Sequence, residues 1–540
     1  MLRQLEKDNR VRNTIREENS GNYPASILRC ALRLSFFLFL LLCSIPGCKG
    51  PGAPPKDALT IDSKPRLYPD YVDVTVPVNF APLNFDVCED GEEIAAYVWA
   101  SENGKAVGKP LASFSGPNIR FSISRWKKLL NDNVGKTLLT SVFVKREGKW
   151  LRFNDSTLYI SPDSIDPYVS YRLVGPGYEG FSDLALWTRN IENFKEKAII
   201  RARLISERAC VNCHSFQDRR TENFFFHIRL VQGGTVYVEN GDKITKRDMV
   251  ADGLDGGCSY AAWRPNSNHV AFTSNRTHQV FRSLSHDRID VLDAFADLYL
   301  YDVGKNVLTP IVPPGDDQLE TYPSWSQDGR YLYYCSAKNP GFTAPRNDKE
   351  VRGMEMGSLR LKFKYDIMRV SYDEKTGLFG EPEKIYDASG QDKSALFPRL
   401  SPDGKTLLFT LTHFGCFPIW YQDSDIWALD LESGKARSLD EINSPNEPDS
   451  YHSWDSSGRW IVFSSRRDDG SYTRLYFAHF NDDGTFSKPA MLPQKDPVRT
   501  LETLNSFNIP EFTTEPVHVS ERRLLREARR DPLEKAQLSR

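Results

Sequence analysis

The segment from Glu207 to Phe216, ERACVNCHSF, combines two thiols and an imidazole at a spacing that could do chemistry. Cys210 and Cys213 are three residues apart, and His214 directly follows the second cysteine. Thiols at this spacing can bond covalently to one haem while the adjacent imidazole ligates its iron. A zinc clip, a redox dithiol and a chance occurrence are the alternatives, so the surrounding elements have to be considered.

The spacing Cys210-x-x-Cys213-His214 resembles the haem-attachment signature of c-type cytochromes. The resemblance implies one covalent haem c, with His214 as the proximal ligand of the iron. A structural zinc site would need four protein ligands, and no histidine follows His227 at the usual three to five residues. A redox dithiol would lie at a helix start in a βαβ unit, whereas the neighbouring segments have the pattern of strands and turns. The spacing therefore favours haem and leaves zinc, a dithiol and chance open.

The sixth ligand of such a haem has three candidates in the sequence. His227, in FFFHIRL, and Met249, in KRDMVADG, are the nearest imidazole and thioether. His452, beside Trp454, could instead face a central channel. We expect His227, because an approach from an adjacent strand costs little chain entropy; an open site is the alternative. The choice matters because axial ligands shift haem potentials over about 0.8 V.

The region before the motif has the pattern of a small β-sandwich. Short runs of alternating apolar and polar residues recur between Tyr71 and Ser161: VDVTVPV, EIAAYVWA, IRFSIS, TLLTSVFVK and STLYIS. Period-two alternation broken by turn residues predicts antiparallel strands. We expect an immunoglobulin- or fibronectin-like sandwich over 70–165 that serves as a spacer or docking module.

The second half of the chain contains a repeat. Four stretches share an apolar or aromatic residue, a polar turn and a β-rich run: SYAAWRPNSNHVAFTSNR, TYPSWSQDGRYLYYCSA, LFPRLSPDGKTLLFTLT and SYHSWDSSGRWIVFSSR. Measured at Trp263, Trp325, Leu400 and Trp454, the period is between 54 and 75 residues. Such a period predicts four-stranded propeller blades. The turn Ser401-Pro402-Asp403-Gly404-Lys405 is structural, since proline, aspartate and glycine each satisfy one demand of a tight turn.

With the strands after them, these turns resemble the TolB-like, WD-repeat-related β-propeller family. The resemblance covers about Cys258 to Pro493 as four plain blades. The segment Ser506–Val519 has the beginning of a blade and Ser182–Ile200 has the end of one, so we expect a composite blade that closes the ring. Phe224–Lys246 then supplies the remaining blade of six, with the motif in a loop or short helix at the propeller rim.

One block resembles exported Bacteroidetes proteins described as TolB-like or cytochrome c-related. It runs from Asp166-Pro167-Tyr168 through Tyr171-Arg172-Leu173 and Pro176-Gly177-Tyr178 to Cys213-His214-Ser215-Phe216. The resemblance supports haem and identifies no pathway. A Gly-x-Ser-x-Gly elbow is absent from the sequence, so a peptidase of the prolyl-oligopeptidase kind is excluded. A P-loop is absent from the sequence as well.

The first fifty residues have the pattern of an export signal. Arg29 and Arg33 flank the start of an apolar run, Leu34 to Ile45, that is too short to span a bilayer. Ile45-Pro46-Gly47-Cys48 resembles the lipobox of bacterial lipoproteins, which implies acylation of Cys48. An uncleaved signal anchor is the alternative. We expect a leader over 1–47, a Pro- and Gly-rich tether over 48–69 and a protein anchored by lipid on the periplasmic face of a bacterial membrane.

Composition limits the partners. The chain has 70 basic and 72 acidic residues and a formal charge of -2, which gives no net attraction for nucleic acid. Cys88, Cys258, Cys335 and Cys416 are expected as buried free thiols or disulfides. The propeller is expected over 166–519, before a basic helical tail over 520–540.

Two functions remain from the sequence. The first is a lipid-anchored monohaem propeller that transfers electrons to or from a periplasmic partner, with no catalytic residue. The second is a non-enzymatic envelope scaffold that binds a protein or a glycan.

Overall fold

Strands dominate the chain, as the period-two pattern predicted. The computed structural model describes residues 52–175, 183–254, 256–281, 287, 289–314, 317–342, 358–531 and 534–539. Residues 54–540 form one compact unit; of the other, residues 1–53, only Gly52 and Ala53 are described. The predicted leader and Cys48 therefore lie outside the described residues.

Ten strands and one helix make up the N-terminal part: β1 Leu59–Thr60, β2 Leu67–Tyr68, β3 Val74–Pro77, β4 Phe85–Val87, β5 Glu93–Glu102, β6 Lys105–Ser115, β7 Asn118–Ile119, α1 Ile123–Asp132, β8 Thr137–Arg146, β9 Lys149–Arg152 and β10 Ser156–Ser161. A seven-stranded sheet contains β1, β3, β5, β6, β8, β9 and β10, and a three-stranded sheet contains β2, β4 and β7. Most pairs are antiparallel as predicted, but β3 with β10 and β1 with β9 are parallel. Strands β1 and β2 fall within the segment predicted to be a tether.

Helix α1 corrects one prediction. The run IRFSIS was predicted to be a strand, yet only Asn118–Ile119 is extended there, and the helix begins at Ile123. Trp126, Leu129 and Leu130 are its buried residues, at the spacing of one helical face. The helical period of the residues that follow outweighs the short alternation before them.

The remaining strands and helices follow in chain order: β11 Tyr168–Val174, β12 Ala185–Asn190, β13 Glu196–Arg201, α2 Ala202–Ile205, β14 Ala209–Phe216, β15 Phe224–Leu230, β16 Gly234–Glu239, β17 Lys243–Asp248, β18 Gly257–Trp263, β19 His269–Phe281, β20 Ile289–Asp302, β21 Val307–Pro310, β22 Gln318–Trp325, β23 Tyr331–Lys338, β24 Asp366–Asp373, β25 Leu378–Phe379, β26 Glu383–Tyr386, β27 Ser394–Leu400, β28 Thr406–Thr412, β29 Asp425–Asp430, β30 Ala436–Ser438, β31 Asp449–Trp454, β32 Trp460–Ser465, β33 Arg474–His479, β34 Ala490–Met491, α3 Pro497–Glu502, β35 Ser506–Thr513, α4 Glu521–Ala528, β36 Glu534–Lys535 and β37 Gln537–Leu538.

These strands pair into six sheets of four or five strands. Sheet 1 has the order β35-β11-β12-β13, sheet 2 contains β14 to β17 with β36, and sheet 3 contains β18 to β21 with β37. Sheets 4, 5 and 6 contain β22 to β26, β27 to β30 and β31 to β34. The composite sheet predicted from the two ends of the chain is confirmed, because β35 pairs antiparallel with β11.

The first strand of each sheet contacts the first strand of the next. We call these six strands, β14, β18, β22, β27, β31 and β35, the inner strands; contacts run through them in this order and return from β35 to β14. Sheets placed radially around a closed ring of inner strands define a β-propeller. The prediction of an all-β, propeller-type fold is confirmed.

The turn after β27 has the chemistry that its residues predicted. Gly404 has a φ of 75°, and its N–H donates to the carbonyl of Ser401 at 2.9 Å. The Asp403 carboxylate accepts from the N–H of Lys405, two residues on, at 3.1 Å. Glycine and aspartate thus fix this turn between the first and second strands of sheet 5.

The N-terminal sheets share a hydrophobic core with sheet 6. The Phe80 ring lies 5.4 Å from the Phe477 ring in an edge arrangement. The Tyr71 hydroxyl donates to the carbonyl of Met491 at 3.2 Å, and Trp126 belongs to the same buried cluster. Apolar burial therefore fixes the N-terminal part against the propeller.

The C-terminal segment differs from the predicted helical tail. Helix α4 buries Leu524 and Ala528, but β36 and β37 then pair in parallel with β17 and β21. The Lys246 ammonium donates to three backbone carbonyls, including that of Ala528 at 2.9 Å. The last residues therefore extend sheets 2 and 3 at their outer edges.

Candidate functional site

One position in each inner strand has a left-handed backbone. The φ angles of these six residues lie between 47° and 55°, and each residue falls in a gap in the pairing with the second strand of its sheet. Such φ values are uncommon for residues other than glycine, and bulges of this kind redirect side chains. The six residues are Cys213, Tyr260, Tyr322, Phe397, Tyr451 and Ile509.

The CVNCH motif is therefore part of an inner strand. We predicted a loop or short helix at the propeller rim, and this prediction is wrong, because Cys210 to His214 lie in β14. The signal for the correct place was in the sequence: His214-Ser215-Phe216 matches His452-Ser453-Trp454 of β31. The predicted alignment of Pro510-Glu511-Phe512 with Pro323-Ser324-Trp325 falls at the same position of the repeat.

The inner strands enclose a central cavity of about 210 Å³, lined by residues of all six. One part of its wall is aromatic. Ring centroids are 4.5 Å apart for Tyr260 and Tyr322, 4.1 Å for Tyr322 and Phe397, and 4.9 Å for Phe397 and Tyr451. We call these four side chains the aromatic belt; they offer a planar apolar surface to a ligand.

The loop between β28 and β29 packs against the aromatic belt. The Tyr322 hydroxyl donates to the carbonyl of Cys416 at 2.7 Å, and the Phe417 ring lies 6.4 Å from the Tyr260 ring. The Cys416 thiol donates in turn to the carbonyl of Val291 at 3.1 Å. The loop thus covers this side of the cavity, whereas Glu511 lines another side and keeps 24% of its side-chain surface accessible.

Charged side chains line the cavity near Glu511. Glu511 accepts from the N–H of Phe216 at 3.0 Å, and the Arg219 guanidinium donates to the carbonyl of Trp454 at 3.2 Å. The Trp454 indole donates to the carbonyl of Arg399 at 3.1 Å. Burial raises the pKa of Glu511 to about 7, although the Phe216 N–H, Arg399 and Arg219 oppose the change. About half of the Glu511 carboxyl groups therefore hold a proton near neutral pH.

Two equivalent histidines lie beside these charges. His214 and His452 are 6% and 2% exposed, and the imidazole of His214 is 4.0 Å from the Glu511 carboxyl. Burial lowers the pKa of both to about 3, so both are neutral. Backbone carbonyls oppose this change, but no ring nitrogen of either histidine makes a hydrogen bond of normal geometry to a described residue. Buried polar atoms without partners are rare in folded proteins, and they mark places where a ligand or water can bind.

The structure separates the residues predicted to hold a haem. Cys213 and His214 line the cavity, whereas Cys210 packs in the core between sheets 1 and 2. His227 packs against a different core: the centroid of its ring lies 5.4 Å from that of Phe272, and its Nδ1 lies 2.6 Å from the Thr235 hydroxyl.

Met249 belongs to that second core as well, and the Tyr237 hydroxyl donates to its sulfur at 3.6 Å. Neither His227 nor Met249 lines the cavity, while His452 does. Of the candidate sixth ligands, only His452 therefore shares the cavity with His214.

Cysteines and metal ligands give two further findings. The six cysteines from Cys88 onward are free thiols, and all but Cys88 are buried. No group of three or more histidine, cysteine or acidic side chains with the geometry of a metal site occurs in the described residues. Within the same residues, no helix has the length and hydrophobicity needed to cross a membrane.

Comparison with known proteins finds similarity in structure only. No protein-family model matches the chain, and no curated protein matches it. Solved structures that resemble it include TolB from Acinetobacter baumannii, 12% identical over 73% of this chain and 85% of that chain, with a TM-score of 0.40. An oligogalacturonate lyase in complex with manganese is 13% identical over 60% and 74%, with a TM-score of 0.36. A prolyl endopeptidase is 14% identical over 62% of this chain and 50% of that chain, with a TM-score of 0.33. The similarity concerns the fold alone, and the propeller architecture stated above rests on the sheet pairing.

Proposed function

We propose that this chain is a binding protein whose ligand occupies the central cavity of the propeller. The observation that carries the proposal is the pair of buried histidines, His214 and His452, whose side chains line one cavity and whose ring nitrogens make no hydrogen bond of normal geometry to a described residue. Burying an unpaired polar group costs about 1–3 kcal/mol, and a ligand that supplies a hydrogen bond would recover this cost. No catalytic step is required for this role.

A thermal-shift screen tests the proposal. Compounds representing organic acids, amines, neutral aromatics and small sugars are screened against the wild-type protein and His452→Phe. We expect at least one class to raise the melting temperature of the wild type by more than that of the variant, because a bound ligand stabilises the folded state. Equal shifts in both proteins for every class would refute a ligand site at His452.

A monohaem electron carrier is the second candidate, favoured by the neutral imidazole of His214 beside Cys213 in the cavity wall. The fit to a haem is partial, because Cys210 packs in a core and only one thiol reaches the cavity. If bound, a haem would supply one-electron chemistry, with His214 as a ligand to its iron. We derive no step through it, and the covalent haem stays a prediction.

Haem staining after denaturing electrophoresis tests this second candidate. The protein is produced in a host that matures c-type cytochromes, beside a variant with Cys210→Ala and Cys213→Ala. A retained haem stain and a Soret band, both lost in the variant, would establish covalent haem. A colourless wild-type protein would remove the electron-transfer role and leave the binding role intact. A periplasmic location and a lipid on Cys48 stay predictions; mass spectrometry of the membrane-extracted N-terminal peptide would test the lipid.

A further inference from the structure

The central cavity has two chemically different sides. The inner strands β18 and β22 contribute Ala262, Ser324 and aromatic rings, and none of their lining residues is charged. Arg399 comes from β27, Glu511 from β35, and Asp218 and Arg219 from the short segment after β14. A ligand that fits both sides needs a polar end and an apolar, planar end.

The charges on the polar side favour a single negative charge. Arg219 and Arg399 are each positive, and Asp218 is negative and already accepts from the N–H of Asn266 at 2.9 Å. Asp218 offsets one of these two positive charges, so the polar side carries a surplus of at most one positive unit, which a monoanion balances and a dianion exceeds.

The two guanidiniums keep donors available for such a monoanion. Each guanidinium donates to one backbone carbonyl of a described residue: Arg219 to that of Trp454 at 3.2 Å and Arg399 to that of Pro398 at 2.9 Å. A guanidinium has five N–H donors and matches the planar geometry of a carboxylate. The unpaired nitrogens of His214 and His452 border the same space and can accept or donate a further bond.

We propose that the cavity binds a small organic monocarboxylate with a planar apolar group: the carboxylate lies between Arg219 and Arg399, and the apolar group lies on the aromatic belt. The inference rests on the proposed binding function and names the chemical class of the ligand. A cavity of about 210 Å³ accommodates a molecule of roughly one aromatic ring with a short chain.

Isothermal titration calorimetry at pH 6.5 tests the inference with 3-phenylpropionate as the probe. Its primary amide has the same shape without the charge, and propionate has the charge without the ring. We expect 3-phenylpropionate to bind at least tenfold more tightly than either analogue. Arg399→Gln should weaken 3-phenylpropionate at least tenfold and leave the amide within twofold.

Arg523→Gln is the matched control, because Arg523 lies on α4, where it binds Asp242 outside the cavity. It should leave all three affinities unchanged, and near-ultraviolet circular dichroism should confirm that both variants keep the wild-type fold. Absence of binding by 3-phenylpropionate at millimolar concentration would overturn the inference, as would equal binding of acid and amide. If an amine or a neutral compound from the thermal-shift screen binds in a manner that depends on His452, the binding function stands and the monocarboxylate inference falls.

Discussion

Replacing the cavity histidines by phenylalanine should stabilise the protein. His452→Phe and His214→Phe each remove two buried ring nitrogens that make no hydrogen bond of normal geometry to a described residue. Leaving a buried polar group unpaired costs about 1–3 kcal/mol. Fitting the larger ring into a wall that borders an open cavity costs about 1 kcal/mol. We therefore expect the free energy of unfolding to rise by about 1 kcal/mol in each variant.

His227→Phe is the matched control with the opposite sign. His227 is 3% exposed, and its Nδ1 lies 2.6 Å from the hydroxyl of Thr235, which is itself 1% exposed. Phenylalanine would leave that hydroxyl buried without a partner and would place a larger ring against a closed core, while the removal of the unpaired Nε2 of His227 offsets part of this cost. We therefore expect a loss of about 1 kcal/mol. The contrast separates a histidine with a structural bond from the two that lack one.

Urea unfolding followed by tryptophan fluorescence measures all three variants. The midpoint should move up for His214→Phe and His452→Phe and down for His227→Phe, at unchanged slope. If His452→Phe lowers the midpoint as much as His227→Phe does, the imidazole has a structural partner, and the reasoning that assigns it to a ligand is wrong.

Three further predictions concern stability. Lys246→Met should lower the free energy of unfolding by about 3 kcal/mol, because it removes three charge-assisted hydrogen bonds to backbone carbonyls. Lys243→Met, on the same strand but with 64% of the lysine side chain exposed, should lower it by less than about 0.5 kcal/mol. Equal urea midpoints for the two variants would contradict the role of Lys246. Because the pKa of Glu511 is raised, the folded protein keeps a proton on this carboxyl at pH values where the unfolded chain, with the ordinary pKa of 4.5, has lost it. The contribution of Glu511 to stability is therefore complete below pH 4.5 and is lost as the pH rises through about 7. Glu511→Gln should therefore stabilise the protein more at pH 8 than at pH 5, and a pH-independent difference in urea midpoint would contradict it. Deletion of residues 532–540 removes two outer strands and should cost about 2 kcal/mol, read as a lower urea midpoint; an unchanged midpoint would show that these strands add nothing.

Local and repeated features of the fold could be predicted from the sequence. The turn at Asp403 and Gly404 follows from the conformational demands of those residues, and the composite sheet follows from two incomplete copies of one pattern. Helix α1 was predicted wrongly because a short run of alternating residues precedes it. The spacing of Trp126 and Leu130, which places both on one buried helical face, is the signal in the sequence for the helix.

Only the local part of the candidate site could be predicted from the sequence. The type and spacing of Cys210, Cys213 and His214 identified a segment that does line the cavity in part, but this segment was predicted to be a loop at the rim. The repeat is most evident at its tryptophan and leucine positions, and the copy that ends in Phe216 has neither residue there. The grouping of Arg219, Arg399 and Glu511 depends on ring closure between strands that are hundreds of residues apart in the chain. No local pattern carries that information.

Strand β35 completes the ring with residues near the end of the chain, while its partner β11 begins at Tyr168. Synthesis must therefore deliver the chain as far as β35 before Glu511 can line the cavity together with Arg219 and Arg399. A nick or a premature stop ahead of Ser506 would spare most of the sheets and still leave no enclosed cavity. Occupancy of the cavity would thus report that the chain extends through β35, a form of quality control that the order of its strands supplies without any additional component.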